Sequence, residues 1–188
     1  VKGLFFPLFL AINGLFGIPY SISVPGFYTI ACVLFIFGTK KLFKNELPLY
    51  ILFAVLMFMP ISFANETFTR VYRNSLIAGQ VLMIAGSLVA LYLNRFEKNK
   101  ILIIWSLLSG LAVASLWHSR EDGIWIIPLT LGVLLISGMT ILVKKELSKK
   151  EKVKKGLIVS LPIVILICTA VLISTINYGV YGVYTTNE

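Results

Sequence analysis

Trp117-His118-Ser119-Arg120-Glu121-Asp122-Gly123-Ile124-Trp125 places an imidazole, a guanidinium and two carboxylates between two tryptophans. A guanidinium can grip a phosphate through two parallel hydrogen bonds. Two neighbouring carboxylates, Glu121 and Asp122, suit a hard divalent cation. No other cofactor is expected. A second cationic stretch, Glu66-Thr67-Phe68-Thr69-Arg70-Val71-Tyr72-Arg73-Asn74-Ser75, sets Arg70 and Arg73 three apart, on one face of a helix. Both stretches also have plainer readings: a polar turn closed by an arginine–carboxylate pair, and arginines snorkelling at an interface. Lys2, ahead of a short apolar run, is the remaining cation of this kind.

These residues are rare islands in an apolar chain. Of 188 residues, 58% are hydrophobic and 13% charged, and the mean hydropathy is +0.92. Soluble domains carry roughly 25% charge. A bilayer can solvate what an aqueous fold of this size cannot hide. The apolar runs are continuous and do not alternate, which predicts helices and not a membrane barrel. The expected fold is therefore all-α, a polytopic transmembrane helix bundle.

Six spans are expected at residues 24–39, 49–63, 75–93, 101–117, 124–143 and 157–176. The first two are short against the roughly 20 residues a span needs. A seventh run, 4–16, is shorter still and contains Pro7, Asn13 and Gly14. It is expected to be interfacial or re-entrant. The expected organisation is one membrane domain over 1–188. Residues 1–20 are its juxtamembrane segment, 24–177 its six helices and 178–188 a tail on the outer face. In that tail Tyr178, Tyr181 and Tyr184 would form an interfacial aromatic belt. The chain opens on Val1, so it is expected to be part of a longer protein.

The net charge of +9 does not point to nucleic acid, because the cations are not arranged as a stripe. Thirteen of the 17 basic residues lie in loops 40–47, 94–100 and 144–155. Alternating spans put these loops on one side, which the positive-inside rule makes cytoplasmic. The expected location is a cell membrane crossed several times. Loops 65–74 and 118–123 and the tail then face outward, with Arg70, Arg73, Arg120, His118, Glu121 and Asp122. The six spans contain no Asp, Glu, Lys, Arg or His, which disfavours an ion-coupled transporter. Gly86 with Ala90, and Gly110 with Ala114, have the spacing of close helix packing. Cys32 and Cys168 lie inside apolar runs and are expected to be free thiols.

The run Lys2-Gly3-Leu4-Phe5-Phe6-Pro7-Leu8-Phe9-Leu10-Ala11, followed by Leu15-Phe16-Gly17, resembles a stretch of the GT-C glycosyltransferases. These include protein O-mannosyltransferases and the lipid A aminoarabinose transferase. In them a Lys-Pro-Pro-Leu-like stretch enters a juxtamembrane helix on the outer face. A basic turn after the next span matches 39–44 here, and an arginine-bearing loop matches 70–75. The proline pair is absent from this chain; Pro7 stands alone.

The resemblance implies an enzyme that moves a sugar from a polyprenyl-phosphate donor to an acceptor at the outer face. Arg70, Arg73, Arg120 and Lys2 would hold the donor phosphate. His118, Glu121 and Asp122 would orient the acceptor or a cation. The family's catalytic acid lies upstream of the stretch matching Lys2, so this chain alone is expected to be inactive. Two other readings are a non-enzymatic scaffold or partner subunit, and a carrier of lipid-linked oligosaccharide. The carrier would need a hydrophilic cavity lined by Gln80 and the serines and threonines of the spans.

Overall fold

The computed structural model describes residues 4–58, 71–119 and 121–186, of which Glu121 and Asp122 are described by backbone alone. Lys2, Arg70 and Arg120 lie outside the described residues. The described fold is all-α. Its helices are α1 (Phe5–Leu15), α2 (Tyr20–Thr39), α3 (Leu47–Met57), α4 (Ile77–Leu93), α5 (Asn99–Trp117), α6 (Ile126–Val143) and α7 (Lys149–Tyr181). Tight 3₁₀ turns at Arg73–Leu76 and Glu121–Trp125 lead into α4 and α6.

Five helical stretches are long and apolar enough to cross a membrane: Tyr20–Leu42, Arg73–Leu93, Asn99–Trp117, Gly123–Val143 and Lys149–Tyr181. The first run is the short helix α1, as its length predicts. The expected span 49–63 is present as the 11-residue α3, and the expected end of that span lies outside the described residues. At 1.5 Å per residue, α3 as described is about 16 Å long.

The packing is sequential. α4 lies between α2 and α5; α7 packs along α5 and touches α6; α3 and α1 lean on α2. Two apolar layers fill the α4–α7 group. Ile84, Leu88, Val113, Leu116 and Leu166 form one, and Leu91, Leu102, Ile141, Ile158 and Val159 the other. Small residues set the helix spacing, as their four-residue interval suggests. A Cβ on Gly38 would stand 2.2 Å from the Gly86 carbonyl oxygen, and one on Gly86 would stand 2.5 Å from Phe35 Cα. Gly110 is pressed in the same way against Pro162 and Ile165 of α7.

The three lysine-rich loops meet at one end of the bundle. Lys41 Nζ lies 2.7 Å from Glu97 Oε1, and its ammonium holds the Glu97 carboxyl below the usual range. Lys155 Nζ donates to the carbonyls of Glu97, at 2.5 Å, and Arg95, at 3.3 Å. Lys152 Nζ donates to the Leu142 carbonyl at 2.7 Å. Lysine thus caps the exposed carbonyls where α4 and α6 end, as the negative end of a helix favours.

α7 departs from the expected span. It starts eight residues before 157 and runs to Tyr181, so Tyr178 and Tyr181 are helical and not part of a free tail. Its 33 residues make about 50 Å of helix, against a hydrocarbon core of about 30 Å. The early start has a local cause. Ser148 and Glu151 form a reciprocal capping box, which satisfies the first amides of a lysine-rich turn. Gly182, at φ 72°, ends the helix in the left-handed conformation.

Candidate functional site

The end opposite the lysines is where the described part of the candidate chemistry gathers. The Tyr20 hydroxyl donates to the Tyr72 carbonyl at 3.2 Å, which ties the start of α2 to the turn carrying Arg73. Gln80, near the start of α4, donates from Nε2 to Ser119 Oγ at 2.8 Å and to the Ser115 carbonyl at 3.1 Å. Ser119 Oγ in turn donates to the Ser115 carbonyl at 2.6 Å. The 3₁₀ turn with half-exposed Arg73 and the hairpin after α5 therefore share one end of the bundle.

The hairpin is tight, as its sequence suggests. A Cβ on Gly123 would come within 2.9 Å of Trp117 Cα, so only glycine fits this turn without displacing backbone. Trp117 is half-buried against the apolar layer around Leu116, whereas Trp125 is 80% exposed. The proposed contacts of Arg70, Arg120 and Lys2, and of the Glu121 and Asp122 carboxylates, fall on parts outside the described residues. Among the described residues no three His, Cys, Asp or Glu side chains converge as a metal site would require.

His118 turns inward. Only 5% of it is exposed, and its Nε2 lies 3.1 Å from Thr169 Oγ1 on α7. The Thr169 hydroxyl is already donating to the Leu166 carbonyl at 2.9 Å. With the hydroxyl proton directed at Leu166, the matching tautomer donates from Nε2 and keeps Nδ1 as an acceptor. Burial pushes the imidazole pKa below its usual value, which favours this neutral ring. His118 thus belongs to the bundle interior, and its carbonyl accepts a 3.4 Å bond from the Phe5 amide.

That bond seats the start of α1 against the end of α5, beside residues 169–173 of α7. Beneath it lies an apolar groove of about 310 Å³. Leu4, Phe5 and Leu8 form its roof, Leu111 and Ala114 one wall, Leu172 and Ile173 the other; among the described residues Ser115, His118 and Thr169 are its polar lining. Sequence reasoning placed α1 at an interface but missed this groove. The signal was present as three unbroken apolar faces, yet nothing in one sequence says which of them meet.

Among the described residues, several polar side chains are sealed inside the bundle. Gln80, Ser87, Ser106, Ser109, Thr130 and Ser137 are fully buried. Ser87, Ser109, Thr130 and Ser137 donate to carbonyls of their own helices. Gln80 Oε1 and Ser106 Oγ are buried without a hydrogen-bond partner among the described residues.

Fold and site together define a polytopic helical membrane protein, with a cationic rim at one end and a polar hairpin beside an apolar groove at the other. No protein-family model, no curated protein and no solved structure matches the chain.

Proposed function

We propose that the chain is the membrane part of a GT-C-like transferase, acting on a polyprenyl-phosphate-linked sugar at the face opposite the lysine loops. The observation that carries this reading is the groove under α1. It is apolar along its length, has a histidine–threonine pair in its lining, and opens beside the hairpin that bears Arg120, Glu121 and Asp122 in sequence. A prenyl chain would lie against Leu8, Leu111 and Leu172. Its phosphate would sit at the polar end, and Arg73, Arg70, Arg120 and Lys2 are the cations proposed to hold it. Cations fixed there would stabilise the charge that develops on the departing phosphate. Glu121 and Asp122 would orient the acceptor, with or without a divalent cation. His118, turned inward, would shape the groove and would not touch the acceptor. The lysine loops would be cytoplasmic.

The test is photo-crosslinking of the membrane-embedded protein with a diazirine-bearing polyprenyl phosphate. Leu111 and Leu172 stand largely exposed at the groove mouth, so tryptophan is tolerated there sterically and blocks entry. Leu111→Trp and Leu172→Trp should each cut labelling about tenfold. Arg73→Ala should weaken binding by a similar factor, the equivalent of one charged hydrogen bond of about 1.5 kcal/mol. Wild-type labelling in all three variants would refute the assignment.

A further inference from the structure

The seven lysines of loop 144–155 divide into two groups. Lys152 and Lys155 point into the bundle and cap carbonyls. Lys144 pairs with Glu146 at 3.3 Å and lies over the Phe96 ring. Lys145, Lys149, Lys150 and Lys154 are exposed, and among the described residues no acidic partner meets them. Three of these line one shallow hollow of about 420 Å³, together with Val153 and Leu157.

The hollow follows from helix periodicity. Residues 149, 150, 153, 154 and 157 fall on one face of α7, while 148, 151, 152, 155 and 158 fall on the other. Val153 and Leu157 are 63% and 66% exposed, and they begin the apolar face that continues along α7. Because α7 is some 20 Å longer than a hydrocarbon core, its first turns extend into the headgroup layer.

We infer that this face of α7 is a binding site for anionic phospholipid, with Lys149, Lys150 and Lys154 on the headgroup phosphate and Val153 and Leu157 against the acyl chains. The interleaving chooses the occupant. A soluble polyanion would use the ammonium groups but leave Val153 and Leu157 in water. A zwitterionic lipid would cover the apolar pair but bring no net charge to three unpaired cations. Juxtamembrane lysines each favour an anionic surface by roughly fivefold. Three of them correspond to a preference well above tenfold before screening.

The experiment measures lipids retained by the purified full chain from an equimolar phosphatidylglycerol and phosphatidylcholine mixture, by native mass spectrometry. Wild type should retain phosphatidylglycerol at least about fivefold over phosphatidylcholine. That preference should fall severalfold as salt rises from about 50 to about 500 mM. The triple variant K149Q/K150Q/K154Q should lose it, with an unchanged thermal midpoint because these side chains are exposed. K98Q/K100Q, at the same end but off this face, should keep it. Three results would overturn the inference: no preference in wild type, an unchanged preference in the triple variant, or displacement of phosphatidylglycerol by inositol hexakisphosphate as readily as by added lipid.

Discussion

Gly86→Leu should abolish the folded bundle, at a cost of about 3 kcal/mol or more. Overpacking usually costs about 1–3 kcal/mol, because side chains can shift to make room. Here the obstacle is backbone. The first added carbon would lie 2.5 Å from Phe35 Cα and 3.1 Å from Phe35 N, and Gly38 is equally tight against the Gly86 carbonyl. Relief requires α2 and α4 to move apart along their whole contact, and α2 also carries α1 and α3. Size-exclusion profile and thermal midpoint in detergent report the result. Gly132→Leu is the control, since nothing lies within 4 Å of its added carbon and lipid can yield. Equal behaviour of the two variants would show that the α2–α4 contact is not as drawn.

Lys155→Met should destabilise the protein by about 2–3 kcal/mol, although among the described residues the lysine makes no salt bridge. Its ammonium donates to the Arg95 and Glu97 carbonyls just past α4. Methionine keeps the length of the stem and removes the donors. Two carbonyls then lose a charge-assisted partner; the short bond to Glu97 contributes about 1.5–3 kcal/mol and the 3.3 Å bond to Arg95 adds little. Lys152 donates to one carbonyl and is less buried, so Lys152→Met should cost less. Thermal unfolding in detergent gives both values. A Lys155→Met midpoint equal to that of Lys154→Met, an exposed neighbour, would remove lysine capping from the account.

The sequence of Lys155 shows why some of this was legible in advance and some was not. It sits in a run of seven lysines, and composition reads such a run as a solvated loop. Hydropathy found the apolar part of α7 at 157–176 for the same reason that it missed the first two turns. Ser148-Lys149-Lys150-Glu151 carried the pattern of a helix start, but its capping box outweighs composition only once the geometry is seen. Gly86, Ala90, Gly110 and Ala114 were legible as packing residues, because small side chains at helical spacing have few other uses in lipid. Their partners, Phe35, Gly38 and Pro162, were not, since no local rule pairs one helix with another. His118 was legible as unusual and misread in direction. A polar residue after a span is expected to face water, yet Thr169, 51 positions away, supplies a half-buried partner.

Sidedness underlies the groove, the hairpin and the lysine rim alike. Single cysteines at 145, 124 and 184, in a chain with Cys32 and Cys168 replaced, can be challenged in intact cells with a membrane-impermeant maleimide. The account predicts labelling at 124 and 184 without lysis, and at 145 only after lysis. Labelling of 145 in intact cells, or protection of 124, would place the hairpin and the lysines on the wrong sides and contradict it.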